Sequence, residues 1–202
     1  MDRLDRSDMI VTMPAEPQPA LTEEGYLAIE RKAATKSEFS RGKMVAMAGA
    51  KGPHNKIAYN FSVAVGRRLS ESCSGYTSDM KVRTNNGAIY YPDVVYTCGE
   101  ESYRDSSDDV LLDPVVVVEV LSRSTSAKDR GEKRQAYQTI PSLKAYLLIS
   151  QERVEVDVHL RSGDGWTSRV YHSPSDVIDL TPLDAQVPLA EIYRRVLPKT
   201  KS

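Results

Sequence analysis

Asp93 and Glu119 are the two acids in this chain whose surroundings make them costly to leave alone. Asp93 follows a proline in Tyr91-Pro92-Asp93-Val94-Val95, and Glu119 sits inside Val115-Val116-Val117-Val118-Glu119-Val120-Leu121-Ser122. Short runs rich in Val and Tyr, bounded by turn residues, read as buried strands. An ionised carboxylate in such a run is expensive unless something positive meets it. Two such acids on strands that could lie side by side suggest a divalent metal between them. Mg2+ (or Mn2+) takes oxygen ligands and keeps several waters. The carboxylates of Asp93 and Glu119, the backbone carbonyl of Val120 and water would satisfy it. Such an ion polarises a phosphoryl oxygen and lowers the pKa of a bound water. The competing reading is two strand-end acids paired with arginines or facing solvent.

Further candidates stand nearby. Asp129 and Lys133 are four apart, so on a helix they share a face with each other and with Tyr137. Without context they are a surface ion pair worth a few tenths of a kcal/mol. Asp129 also has capping-box spacing from Ser126, so it could simply cap, with Lys133 as the functional member. Glu38 lies in an N-terminal hairpin pattern and matters only if the chain folds it back over the sheet. His54 follows Gly52-Pro53 and reads as a capping or loop histidine, a weaker candidate like Asp129. Arg123, Lys128, Arg130, Lys133 and Arg134, with Arg67, Arg68, Lys81 and Arg83 on neighbouring elements, form either a phosphate-tracking patch or a solvated face. His-Glu-x-x-His, Walker and dinucleotide glycine patterns are absent, as are Cys-His clusters and a nucleophile elbow.

The elements that must position these residues follow in order. Residues 1–20 mix charges with prolines and read as a flexible arm ahead of a single domain over 21–197. Leu21 to Lys32 reads as a short helix capped by Thr22, and Lys36 to Ala48 as a hairpin turning at Arg41-Gly42-Lys43. His54 to Glu71 carries a helical apolar stripe. Tyr76–Arg83 and Ala88–Tyr96 read as two strands joined by Asn85-Asn86-Gly87, the chemistry of a tight hairpin. Val115–Leu121 is the central strand, Lys128–Ile140 a helix stopped by Pro141, and Lys144–Ser150 another buried strand. Arg153–Leu160 alternates as a strand exposed on one side should, with Trp166–His172 as its partner. A short strand near Val177–Leu180 and a helical turn over Leu189–Val196 follow. The order predicts a mixed α/β (α+β) domain, a mixed sheet with a helix on each face and extra C-terminal antiparallel strands.

With 202 residues, 40% hydrophobic and 27% charged, the chain has a soluble, globular profile. Its formal net charge of −1 leaves any nucleic-acid surface to local charge. No apolar run approaches a membrane span and the N-terminus has no signal-peptide pattern, which predicts a cytoplasmic protein. Cys73 and Cys98 have no metal or redox spacing and read as reduced thiols. Asn60-Phe61-Ser62 matches a glycosylation sequon but falls in a helical pattern.

Taken together, Glu38, the segment MVAMAGA at 44–50 with His54 after it, YPDVV at 91–95, VVEVLSRSTSAKDRGEKRQAY at 117–137 and IPSLKAYLLI at 140–149 resemble the Uma-two family of restriction-endonuclease-like proteins. That family belongs to the PD-(D/E)XK nuclease superfamily, and the resemblance covers roughly residues 20 to 195. It implies a restriction-endonuclease-like αβββαβ core, with Asp93 and Glu119 as metal ligands and Glu38 as an additional acid near the metal. The superfamily lysine stands two residues after the glutamate, where this chain has Leu121; in this family it is displaced to the next helix, at Lys133. The expectation is a Mg2+-dependent endonuclease hydrolysing DNA, with a homodimer plausible for cutting two strands. The alternatives are a non-catalytic domain on a nuclease scaffold that binds nucleic acid or a partner protein, and a hydrolase of small phosphoesters.

Overall fold

The computed structural model describes residues 20–196. The arm expected over 1–20 lies, but for Ala20, outside the described residues. Helix α1 (Glu23–Glu30) is capped by Thr22, whose Oγ1 accepts a hydrogen bond from Gly25 N at 3.1 Å. The hairpin of β1 (Ser37–Ser40) and β2 (Lys43–Ala46) turns at Arg41-Gly42, both at positive φ (50° and 72°). That pair of angles suits the tight turn whose twist matches the flanking strands. Helix α1 anchors β1: Tyr26 Oη donates to Ser37 O at 2.6 Å, and the Glu30 carboxylate accepts from Ser37 N at 3.0 Å. Tyr91 Oη donates to the same carboxylate at 2.9 Å, so the position of β1 is tied to the chain around Asp93.

Helix α2 (Gly52–Gly66) starts with Pro53 in its first turn, where a missing N–H costs nothing, and stops short of the expected Glu71. The two strands expected next each break in two, giving β3 (Cys73–Thr77) and β4 (Lys81–Arg83), then β5 (Ile89–Tyr90) and β6 (Val94–Cys98). Strands β3 and β6 belong to one sheet, β4 and β5 to another. Pro92 stands at the second break, where it has no N–H to give a ladder. Ser78, at φ 56°, stands at the first. The turn at Asn85-Asn86-Gly87 joins β4 to β5 as its chemistry predicts.

Strands β7 (Val110–Leu111) and β8 (Val116–Leu121) come next. The following helical segment is α3 (Ser126–Lys128), a π-helical turn at Asp129–Lys133, and α4 (Arg134–Gln138). Then come β9 (Ala145–Ser150), β10 (Val156–Ser162), β11 (Gly165–Tyr171), β12 (Val177–Leu180), β13 (Ala185–Pro188) and α5 (Leu189–Ile192). The large sheet runs β11-β10-β9-β8-β6-β3, the smaller one β2-β1-β5-β4-β7, and β12 pairs β13. Strands β3, β6 and β8 are antiparallel neighbours, while β8 and β9 are parallel. A parallel pair needs a crossover, which the helical segment supplies. The order α2-β3-β6-β8-helix-β9 is therefore αβββαβ.

Alternation along β8 decides the site. Val116, Val118 and Val120 pack with Ile57, Phe61, Ala64 and Val65 of α2. Val117 and Leu121 face the other way, into a core with Ala136 and Tyr137 of α4, Tyr146, and Val82, Tyr90 and Leu111 of the smaller sheet. Glu119 shares a face with Val117 and Leu121. It is the acid in an otherwise apolar row.

Three sequence expectations are corrected. Cys73 and Cys98 are not free thiols: antiparallel pairing of β3 with β6 sets them opposite each other, and they form a disulfide. Strand β10 is not exposed on one side, because His159 is buried there and Arg161 donates to the carbonyls of Gln138, Ile140 and Leu143. The last turn of α4 and the loop beyond it thus have their carbonyls satisfied by a cation. The basic residues do not form one free surface: Lys81 pairs with Asp109, Arg83 with Glu23, Arg68 with Glu191, and Arg130 with Glu155 and Asp157. The sequon's Asn60 is buried, its amide donating to the carbonyls of Ile192 and Arg194 beyond α2.

Gly75 marks a close approach within the large sheet, since a Cβ there would meet the Tyr96 ring at 2.7 Å. Tyr96 is buried, packed with Phe61 of α2. Gly75→Ala is expected to cost about 1–3 kcal/mol, read as a lower urea midpoint at unchanged slope.

Candidate functional site

The site lies where the chain passes from the smaller sheet to the large one. Asp93 follows Pro92 at that crossing, immediately before β6. Its Oδ2 accepts from Val120 N at 2.7 Å, beyond the stretch of β8 that pairs with β6. Its Oδ1 lies 2.8 Å from His54 Nε2, on the first turn of α2. Backbone and imidazole together fix the carboxylate. His54 is therefore neither a cap nor a loop residue; it is the group that meets Asp93.

Glu119 points from β8 toward the helical segment. Lys133 Nζ stands 3.0 Å from Glu119 Oε1, 2.7 Å from Glu38 Oε1 and 3.6 Å from Asp129 Oδ1. Tyr137 Oη donates to Glu119 Oε1 at 3.3 Å. Glu38 arrives from β1, the hairpin having folded back over the sheet junction, and its Oε2 accepts from Lys128 Nζ at 2.8 Å. Both ammonium groups lie over the Tyr90 ring, at 5.4 Å for Lys133 and 5.5 Å for Lys128. The hairpin is pinned further by Ser40, whose Oγ donates to Glu132 Oε1 at 2.7 Å.

A π-helical turn carries Asp129 and Lys133 into this cluster. Such turns disturb the regular bonding ladder and recur at functional sites. Here the Asp129 carbonyl accepts from Tyr146 Oη at 2.9 Å, so a buried phenol on β9 serves the irregular turn. The ladder of β8 with β9 thereby sets the height of the turn against Glu119.

The electrostatics follow from burial. Glu119, Asp129, Lys133 and Glu38 are all buried. Desolvation raises the Glu119 carboxyl well above the usual range, against the pull of Lys133, and raises Asp129 for the same reason. Burial also opposes the charge on Lys133, but Glu119, Glu38 and Asp129 outweigh it and hold the ammonium above the ordinary lysine value. Desolvation pushes the Tyr90 phenol up to about 12. Glu38 Oε1 is close to Lys133 but off a hydrogen-bonding direction. It and Asp129 Oδ1 remain buried without a hydrogen bond.

The structure thus gathers Glu38, Glu119 and Asp129 around Lys133, and separately joins Asp93 to His54 and to Val120 N on the strand that carries Glu119. Asp129 does not cap from Ser126. Sequence reasoning missed what Lys128 does, counting it only as surface charge; its contact with Glu38 spans a separation of 90 residues, which no local pattern reports. Among the described residues no group of three or more His, Cys, Asp and Glu side chains is arranged to hold a metal ion. Glu38, Glu119 and Asp129 are gathered instead around the Lys133 ammonium.

An αβββαβ core with acids at the sheet junction defines a nuclease-like mixed α+β fold. A solved structure described as "a putative nuclease belonging to DUF820", from Anabaena variabilis ATCC 29413, superposes with a TM-score of 0.73 over 88% of this chain and 99% of its own, at 14% identity. The model of the Uma2 family, described as "Putative restriction endonuclease", matches residues 23–190. The chain belongs to that family. The uncharacterized protein slr1290 of Synechocystis sp. (strain ATCC 27184 / PCC 6803 / Kazusa) is 34% identical over 188 residues, 92% of this chain and 98% of its own. A second protein of that strain, sll1609, is 35% identical over 149 residues, 71% of this chain and 82% of its own. Among the described residues no helix is long and apolar enough to cross a membrane.

Lys133 is the counter-ion of three buried acids, so removing its charge leaves them facing one another. Lys133→Met is expected to destabilise the fold by about 3–5 kcal/mol in urea unfolding. Adding Glu119→Gln is expected to recover part of that loss, a non-additivity that a double-mutant cycle measures. Additive effects would mean that the two groups do not act as a pair.

Proposed function

We propose that this protein is a Mg2+-dependent endonuclease hydrolysing DNA phosphodiester bonds. The observation that carries the reading is the meeting of Glu119 and Glu38, from separate elements, at one buried lysine, with Asp93 held by the N–H of Val120, the residue after Glu119. The donor set suits a hard cation. All candidate ligands are oxygens, and Glu38 Oε1 and Asp129 Oδ1 are buried without hydrogen bonds. Three carboxylates, of Glu38, Glu119 and Asp129, lie beside two ammonium groups, of Lys128 and Lys133, while Asp93 is met by His54.

Asp93 and Glu119 would hold the ion, with Glu38 beside it. In an extended strand a residue's N–H and C=O face the same side, so the Val120 carbonyl faces the side from which its N–H reaches Asp93. It could complete the set. A bound ion would polarise a phosphoryl oxygen and make its water more acidic. The chain's own contribution is to hold Asp93 in one orientation through Val120 and His54, and to offset repulsion between the acids with Lys133. Lys133, standing where Leu121 leaves the usual lysine position empty, would stabilise charge developing on the phosphate. Cutting both strands of a duplex would call for two copies of the chain.

One observation favours a second reading, a non-catalytic domain that binds nucleic acid or a partner protein: Lys133 already neutralises the acids a metal would need. Calorimetric titration with Mn2+ or Mg2+ separates the two, repeated with a non-cleavable oligonucleotide present. Binding is expected for the wild-type protein and is expected to vanish in Asp93→Asn. In a nuclease assay Asp93→Asn and Glu119→Gln are each expected to abolish cleavage while the circular dichroism spectrum stays unchanged. Cleavage surviving in Glu119→Gln would overturn the assignment. No metal uptake in either condition would favour the binding domain.

A further inference from the structure

The two lysines of the acid cluster are placed differently. The Lys133 side chain is 7% exposed, and its ammonium is surrounded by Glu38, Glu119 and Asp129. An ammonium has three protons to donate. Lys133 donates to Glu119 Oε1 and is otherwise enclosed by the carboxylates of Glu38 and Asp129, so burial keeps it from a ligand arriving from solvent. The Lys128 side chain is 28% exposed, and its one acidic partner among the described residues is Glu38 Oε2 at 2.8 Å. Glu38 does not depend on Lys128, because Lys133 lies 2.7 Å from its other oxygen. Lys128 could therefore turn from Glu38 to a second anion without stranding a buried charge.

The surroundings of Lys128 suit an anion carried on a polymer. Tyr90 supports its ammonium from below at 5.5 Å. The stretch just before it exposes Ser124, Thr125 and Arg123. Arg123 is held only by Glu152, in a pair whose side chains are 89% and 51% exposed. A pair so exposed is worth little and gives way readily. Four of the other basic residues named from the sequence, Lys81, Arg68, Arg83 and Arg130, are each held by an acid distant in the chain.

We propose that Lys128 receives a backbone phosphate of DNA at the solvent-facing side of the acid cluster, while Lys133 remains the cluster's internal counter-ion. The proposal rests on the nuclease reading and divides between two residues the work otherwise given to one. A compact, partly hydrated ammonium with free protons is suited to phosphate as a point charge. The contact is with the backbone, so it carries no sequence preference.

The test is binding rather than cleavage. A fluorescein-labelled DNA duplex is titrated by anisotropy in EDTA, where no divalent ion is present, over a range of salt concentrations. Each phosphate neutralised by a cation adds about 0.9 to the slope of log K against log salt. Lys128→Gln and Lys128→Met are each expected to lower that slope by about 0.9, with unfolding midpoints near the wild-type value. Lys128→Arg is expected to restore the slope, which a purely structural role would not predict. If both neutral variants keep the wild-type slope while the wild-type protein binds the duplex, the proposal falls and the nuclease reading stands. If the wild-type protein binds no duplex even at low salt, with metal or without it, both fall together.

Discussion

Much of the structure is arranged around the burial of one ammonium group among three carboxylates. A buried ion pair gains little net stability over apolar packing, but a buried charge without its partner is severely destabilising. Lys133 therefore cannot be placed loosely. Each acid reaches it from a different element: Glu38 from β1, Glu119 from β8 and Asp129 from the π turn. To bring them within ion-pair distance the chain must fix a hairpin, a central strand and a helix against one another. The supporting contacts do this. Glu30 and Tyr26 hold β1, Ser40 joins the hairpin to Glu132, and Tyr146 meets the carbonyl of Asp129. An apolar cluster of the same volume would fill the space as well.

The second constraint is the crossing between the sheets. A strand that continued straight through Tyr91-Pro92-Asp93 would stay in the smaller sheet and carry Asp93 away from Glu119. Pro92 removes a donor at that point, and the chain leaves the smaller sheet after Tyr90 to enter the large one at Val94. Asp93 is thus left outside either ladder, and its carboxylate takes the Val120 N–H in place of a strand partner. The backbone bond lost at the end of β6 becomes the bond that orients the acid. The same junction brings Tyr91 Oη to Glu30 and places Tyr90 beneath both lysines.

Features set by neighbours in sequence were legible from it. The Thr22 cap, the Arg41-Gly42 turn, the Asn-Gly turn before β5 and the valine run of β8 each follow from local backbone chemistry. So did the candidate side chains, because an acid inside an apolar run is conspicuous wherever the run ends up. Features set by register were not. Cys73 and Cys98 look like isolated thiols until β3 pairs with β6. Two apparently continuous strands proved to be four, since apolar patterning does not report which sheet a residue joins, although Pro92 was a visible warning. The π turn was hidden because helical periodicity assumes a regular turn. The basic residues read as one surface, while acids distant in the chain had already claimed most of them.

That the buried cation stands on the helical segment and not on β8 has a structural consequence. At the position of Leu121 a lysine would share the face of β8 that carries Glu119, and the rigid strand would fix its distance from that acid. Leu121 instead packs with Ala136, Tyr137 and Tyr146, joining the helical segment to the sheet. The cation then comes from that segment, so its place depends on how the helix docks. Leu121 helps the docking, and Tyr146 holds the π turn at the height of Glu119. The strand thus contributes a packing residue beside Glu119, and the helical segment contributes the charge. This arrangement also lengthens the chain of contacts that must be right for the acids to be neutralised. That chain runs through β9, whose parallel pairing with β8 only the same helical crossover makes possible. One helical segment therefore serves as the crossover, carries the π turn and supplies the buried lysine.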